Sequence, residues 1–409
     1  MWDGGAPQPF KISIAQSALD DLQARLEHVR WPDQVPDSHW EYGTELAYMR
    51  DLVAYWRERY DWRGQERRLN EFPQFTANID GIDVHFVHQP GEGVSPLPLL
   101  LTHGWPGSFY EYYKLIPLLT RPSQFGGSSA DAFSVVVPSM PGYQFSFKPG
   151  QKRFDLQRIA EVLACLMTDV LGYRPFGAHG HDWGAFIATR LGHAHAEKLI
   201  GLHIALLTLP RESLPDGPRT EEEAAYERQL RHWLREETGY SAIMGTRPQT
   251  LSFSLTDSPV GIAAWIIEKF RIWSDCDGDV NRVFGRDMLL TNIMLYWLTG
   301  CINASFWPYY ARAHGPFIVP GGGKVTAPMG YAEHPKEIIT PPRSVAERVY
   351  TDIRRWTRMP RGGHFPALET PEALADEIRA FFRPLRRAGV EMTCSDTDGL
   401  RTAAEQSKN

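Results

Sequence analysis

Residues 177–185 read Gly-Ala-His-Gly-His-Asp-Trp-Gly-Ala, and this run constrains the fold more than any other. A short strand pattern runs into Gly180-x-Asp182-x-Gly184, and an apolar helical pattern over 184–199 leaves it. Small residues on both flanks let the turn tighten and lift the central side chain above the strand's carboxyl end. This is the nucleophile-elbow pattern, with Asp where esterases carry Ser. Asp is also a good helix N-cap, but capping alone does not ask for glycine on both sides. A strand–turn–helix unit of this kind belongs in a parallel sheet covered by helices.

The rest of the chain agrees with that placement. Strand-like runs at 83–88, Leu97–Thr102 and Phe133–Pro138 precede the elbow, and helical pattern spans 154–171. In the first run Val84, Phe86 and His88 share one face, while His85 and Val87 share the other, so the alternation is imperfect. An apolar run at 200–207 follows the elbow helix. The texture then changes: Pro215, Gly217 and Pro218 mark a loop, 221–237 is charged and helical, and 259–316 is helical and rich in aromatic residues. Strand pattern returns near Val325 and over 348–358, and an amphipathic helix over 371–382, with Pro371 in its first turn, closes the fold. Upstream, Leu46, Met49, Val53, Trp56 and Tyr60 form one apolar helical stripe. The expected fold class is therefore α/β, a mostly parallel sheet flanked by helices. It divides into an N-terminal helical extension (1–70), a core in two parts (71–210 and 317–387), a helical lid inserted between them (211–316) and a polar, disordered tail (388–409).

Composition removes several classes. A formal charge of -6 argues against an electrostatic nucleic-acid binder. The longest apolar run is far too short to cross a bilayer, and the first residues show no secretory signal. Cys165, Cys276, Cys301 and Cys394 are widely spaced, which fits reduced thiols and a cytoplasmic protein. Arg outnumbers Lys, which points to a bacterial source. The 13 tryptophans suit a large, partly apolar pocket. Three constellations fail as sites. Asp275-x-Asp277-x-Asp279 lacks the glycine and terminal Glu of a calcium loop. The pairs His179/His181 and His193/His195 lack the acidic partner of a zinc protease, and 321–324 lacks the Ser or Thr of a phosphate loop. No metal and no cofactor is expected.

An aspartate nucleophile restricts the chemistry. A carboxylate is already ionised at neutral pH, so it attacks an sp³ carbon without a base. The product is an ester, which activated water opens, whereas a serine would be left as an ether. His103-Gly104-Trp105-Pro106-Gly107-Ser108 follows an early strand, where the second half of an oxyanion hole belongs. The backbone N–H groups of Trp105 and Trp183 are the expected pair of donors. His364, in Arg361-Gly362-Gly363-His364-Phe365 after the last strand, is the expected base for the water. The acid that orients it is Glu333 or Glu337; Glu337, just beyond Pro335, is preferred, though the sequence alone does not separate them. Trp105, Pro106, Trp183 and Phe365 are the expected substrate-binding residues.

The chain resembles the microsomal-type epoxide hydrolases, including the juvenile-hormone type, which are α/β-hydrolases with a helical lid. The likeness runs from about Trp31 to Phe382. It rests on Tyr60-Asp61-Trp62-Arg63, Leu69-Asn70-x-Phe72-Pro73-Gln74-Phe75, His103–Ser108 with Phe109-Tyr110-Glu111, the elbow, Asp257-Ser258-Pro259-Val260-Gly261 and the His364 loop. The resemblance implies that two lid tyrosines hydrogen-bond an epoxide oxygen. The first aligns with Tyr240; the second falls in Ser305-Phe306-Trp307-Pro308-Tyr309-Tyr310, where spacing favours Tyr309 over Tyr310. It also matches the acid to Glu337. Two departures stand out: no apolar anchor precedes the domain, and Trp307-Pro308 differs from the family's usual residues. The expected activity is hydrolysis of a small-molecule epoxide to a vicinal diol, by a chain with no membrane anchor and a possible homodimer. A haloalkane dehalogenase is the nearest alternative, and a non-catalytic small-molecule receptor a more distant one. Halide leaves without a proton, so a dehalogenase has no need of the tyrosine pair.

Overall fold

The computed structural model of the protein describes residues 2–209 and 220–386. The loop around Pro215, the expected tail at 388–409 and Cys394 lie outside the described residues. Among the described residues nine strands form one sheet: β1 (Gln8–Phe10), β2 (Gln74–Ile79), β3 (Ile82–Gln89), β4 (Leu97–Thr102), β5 (Phe133–Pro138), β6 (Phe176–Gly180), β7 (Leu199–Ile204), β8 (Met329–Glu333) and β9 (Ile353–Arg358). Their spatial order is β1-β2-β3-β5-β4-β6-β7-β8-β9. The pairs from β5 across to β9 are parallel, while β1, β2 and β3 make an antiparallel flank.

Parallel strands covered on both faces read as apolar runs, and β5 is buried at every position. The chain leaves β4 for β5 on one side, then crosses to β6 on the other. The connections after β4 and β6 therefore diverge and open a crevice at the carboxyl ends of the strands, where such sheets bind ligands. The His103 loop leaves β4 and the elbow leaves β6, so the topology brings both to that crevice.

The lid enters between β7 and β8. Its helices include Glu221–Glu236, Gly239–Thr246, Pro248–Asp257, Pro259–Ile272, Arg286–Thr299 and Trp307–His314. Local chemistry marks their starts. The Thr220 hydroxyl accepts the Glu223 N–H at 3.1 Å, and the Ser258 hydroxyl accepts the Gly261 N–H at 2.9 Å ahead of Pro259. The N-terminal helix Leu46–Glu58 buries Met49, Val53 and Trp56 of the expected stripe, together with Leu52. This extension also holds the lid. Thr44 donates to the Ala264 carbonyl (2.9 Å), Tyr48 to Asn281 (3.0 Å), and Arg25 to the Asp257 carbonyl (2.7 Å). Among the described residues no helix is long and apolar enough to cross a membrane.

Several boundaries differ from the sequence expectation. β1 lies inside the segment expected to be helical; three residues are too few for any periodicity to show. The strand expected near Val325 starts at Met329, because Pro328 has no N–H to give a ladder, and Val325 makes only an isolated bridge to Tyr350. The run at 348–358 narrows to β9, since Arg343–Ala346 forms a helical turn that also takes the Tyr350 N–H. Helix 154–171 is α-helical from Leu156 to Cys165 and widens into a π-turn over Leu166–Val170. The last helix runs on to 386.

Candidate active site

Asp182 sits between β6 and the helix Trp183–Ala194 with φ 48° and ψ -131°. A non-glycine residue pays conformational strain for such a backbone, and it persists only where the surroundings fix it. Here they do so by contact. A Cβ at position 184 would lie 1.8 Å from the Thr102 carbonyl oxygen, and one at position 180 would lie 2.3 Å from the Gly184 carbonyl. The elbow presses against β4 at a distance that only glycine permits.

The carboxylate that this turn raises is nearly buried, at 8 % exposure. Its Oδ1 accepts the Trp105 backbone N–H at 2.7 Å. Trp183 is the first residue of its helix, so its own amide belongs to the free donors of the helix start, beside the same side chain. Oδ2 faces His364, whose Nε2 lies 3.3 Å away. The other ring nitrogen, Nδ1, is 2.6 Å from Glu337 Oε1, with both side chains fully buried. Burial alone would push the His364 pKa down. The Glu337 and Asp182 carboxylates outweigh it and hold the imidazole well above its usual 6.5.

Glu337 is the acid brought to His364, and Glu333 is not. Glu333 ends β8, accepts the Trp356 indole N–H at 3.0 Å and pairs with Arg358. Tyr240 and Tyr309 project from the lid helices Gly239–Thr246 and Trp307–His314, with ring centroids 5.7 Å apart. Tyr240 stacks on the Trp105 indole (5.4 Å, 10°), and Tyr309 meets Trp183 edge-on at 4.6 Å. The Tyr309 hydroxyl is buried beside the Tyr240 phenol. Burial raises both phenol pKa values, and the Asp182 charge adds to the rise in each. Tyr310 turns away, stacked between Trp307 and His314. The arrangement thus offers an anionic nucleophile, two neutral phenols across from it, a backbone donor on one carboxylate oxygen, and a base near the other.

Of the other expected residues, Pro106 takes part through its carbonyl, which accepts the Asn292 amide at 2.8 Å. Phe365 packs flat on Phe270 of the lid (4.1 Å, 2°), so its ring serves the lid contact. Sequence reasoning missed Trp273. Its ring meets His364 at 5.0 Å, Tyr240 at 5.2 Å and Trp105 at 6.3 Å. One tryptophan among 13, at a helix end and outside any motif, gives no signal. A second missed pair lies beneath the elbow, where the His181 ring and the Glu111 carboxylate meet at 2.5 Å in full burial. Among the described residues no group of His, Cys, Asp and Glu is arranged to hold a metal ion.

The fold and this site define a hydrolase of the α/β-hydrolase fold, and the chain belongs to the epoxide hydrolase family. Residues 7–112 match the family described as epoxide hydrolase N terminus, and residues 98–241 match the alpha/beta hydrolase fold. Epoxide hydrolase 1 of Sus scrofa is 37% identical over 401 residues, covering 91% of this chain and 88% of its own. A protein of Stigmatella aurantiaca (strain DW4/3-1), provisionally named an epoxide hydrolase, is 44% identical over 378 residues, covering 92% and 85%. The crystal structure of juvenile hormone epoxide hydrolase from the silkworm Bombyx mori superposes with a TM-score of 0.85 at 27% identity, covering 95% of this chain and 96% of that one.

Proposed function

We propose that the protein opens apolar epoxides to vicinal diols through an ester on Asp182. Asp182 Oδ2 attacks a ring carbon while the C–O bond to the epoxide oxygen breaks. Tyr240 and Tyr309 hold that oxygen, and a phenol proton passes to it as charge develops. His364 enters this step protonated, between two carboxylates. Esterification removes the charge of one of them, so the imidazole gives up its proton and the phenol is restored. Neutral His364, oriented by Glu337, then takes a proton from water, and hydroxide adds to the Asp182 Cγ. The oxyanion forms at Oδ1, on the amides of Trp105 and Trp183. The diol oxygen leaves with the proton from His364. The new carboxyl group returns a proton to His364 as Asp182 ionises again.

The observation that carries this reading is the asymmetry of the Asp182 carboxylate. One oxygen is bound by a backbone N–H at 2.7 Å and the other faces the base at 3.3 Å. A carboxylate that only capped the helix would accept a backbone N–H from the first helical turn, and Asp182 makes no such bond. Trp105, Trp183 and Trp273 pack on the tyrosines, and Phe306 packs on Trp105; such aromatic surroundings favour uncharged, apolar epoxides. A single turnover in ¹⁸O-labelled water tests the scheme. Label is expected in Asp182 and not in the diol of the first turnover; label appearing at once in the diol overturns it.

A further inference from the structure

The loop that carries His364 is held in a way that the reaction scheme leaves unused. Four consecutive backbone N–H groups are all taken, and by alternating partners. Gly362 donates to Asp275 Oδ2 (3.0 Å) and His364 to the Trp273 carbonyl (2.8 Å), both on the lid. Gly363 donates to Glu369 Oε2 (2.9 Å) and Phe365 to Glu369 Oε1 (2.8 Å). The same Oε2 also accepts the backbone N–H of Asp275, at 2.8 Å. One carboxylate therefore binds the residue before His364, the residue after it, and the lid segment that grips the other two amides. There is no slack in the loop: a Cβ at position 363 would lie 2.6 Å from the Trp273 carbonyl and 3.1 Å from that of Lys336. On its far side the loop is tied to the Glu337 segment by Lys336 N–H to the Gly362 carbonyl, at 3.1 Å.

We propose that Glu369 is a positioning residue which locks the His364 loop to the seated lid, and so governs hydrolysis of the ester but not its formation. The proposal rests on the Asp182-ester reading above. Ester formation needs Asp182, the tyrosines and the elbow, none of which touches Glu369. Hydrolysis needs Nε2 of His364 at one place relative to the Asp182 Cγ, and small misplacements there cost rate steeply. Three N–H donors on two oxygens call for a carboxylate. An amide in its place turns an NH₂ group toward at least one of those donors, so the clasp opens on one side. The lid segment in question directly follows the helix Pro259–Ile272, whose Lys269 ammonium lies 4.8 Å over the Tyr240 ring. That helix carries the tyrosine side of the pocket, and the Glu369 clasp begins only beyond its end, at Asp275.

The test uses the full chain, styrene oxide as probe, and quenched-flow mass spectrometry of the peptide bearing Asp182. Glu369→Gln is expected to form the ester at the wild-type rate and to lose it about tenfold more slowly, with kcat and KM falling together and kcat/KM kept. A role in stability alone would lower kcat at constant KM, through a smaller folded fraction, with ester decay unchanged. That result, or wild-type decay in Glu369→Gln, overturns the proposal. If Glu369→Gln does not fold, Asp275→Ala decides. It cuts the tie to Gly362 from the lid side and is expected to slow ester decay by a smaller factor; unchanged decay there overturns the proposal too. His364→Gln is the control: absence of ester in that variant refutes the covalent reading itself, and the two failures are told apart.

Discussion

Asp182, Trp105 and Glu337 stand on loops leaving the sheet, while Tyr240, Tyr309 and Trp273 come from the lid, and different forces fix the two sets. On the sheet side the constraints are directional. A positive φ at Asp182, an N–H at 2.7 Å on its Oδ1, and carbonyl contacts that exclude any Cβ at 184 leave the carboxylate one position. On the lid side they are mostly ring contacts: Tyr240 on Trp105, Tyr309 on Trp183, Phe270 on Phe365. Apolar burial is strong but non-directional, so it sets a neighbourhood and not an angle. The half that, in the proposed scheme, meets a reacting carbon is built from backbone. The lid half is built from rings, and the Glu369 clasp is the polar link between them.

The largest effect expected breaks the sheet side. Asp182→Asn removes the charge of the nucleophile, and turnover should fall by on the order of 10⁴-fold or more in a chiral diol assay. Its thermal midpoint should stay close to wild type, because Asn tolerates a positive φ as well as Asp does. Turnover retained within tenfold would mean that the elbow carboxylate is not where the reaction begins.

The tyrosines sharpen the contrast from the lid side. Tyr240→Phe and Tyr309→Phe keep the rings and remove one donor each. Each should slow ester formation by about 10- to 100-fold, and the double variant by more than either, since the remaining phenol can still serve the same oxygen. Stability should respond little at Tyr309. Its buried hydroxyl shares one neutral contact with the Tyr240 phenol, so Phe there should cost no more than about 1 kcal/mol. Thermal unfolding checks this, and a larger loss would show that the hydroxyl helps to hold the lid.

That division also explains what the sequence reveals. The elbow, the Trp105 loop and the His364 loop are legible because their function is a backbone shape, and backbone shape needs glycine at fixed spacing. The α/β alternation is legible for the same kind of reason, as burial on both faces of β4 and β5 leaves apolar runs. Glu333 and Glu337 are not separable from the sequence, since both lie near one strand end and only the path after Pro335 decides which reaches His364. Tyr240 and Tyr309 emerge from family resemblance alone, because ring packing prescribes no spacing. Glu369 gives no signal: an acid in a short turn after a proline reads as surface, and its amide partners at 275 and 363 are distant in sequence. β1 is equally silent, being three residues paired to an edge.

The remaining effect concerns the clasp and turns on a sign. Burial pushes the Glu369 pKa up to about 7 from the usual 4.5, and the nearby Glu337 charge adds to the rise against the three amides that oppose it. Asp275 and His364 are the other titratable groups at this contact, and the Lys336 backbone lies beside it. Between those two pH values the folded chain binds more protons at this position than the unfolded chain does, so stability falls as pH rises through the window. The full cost is present above about pH 7 and vanishes below the unfolded value. Discounted for partial exposure it amounts to about 1–2 kcal/mol. His364 also loses stability as pH rises, but it is common to both proteins and cancels in a difference. Thermal unfolding of Glu369→Gln against wild type should therefore favour the variant progressively from pH 5 to pH 8, even though the variant hydrolyses its ester more slowly. A carboxylate kept ionised at a cost to the fold, for the sake of one histidine's position, is what that opposition would demonstrate. A difference that stays flat with pH would place Glu369 in ordinary solvent contact and remove the strain from the link between lid and sheet.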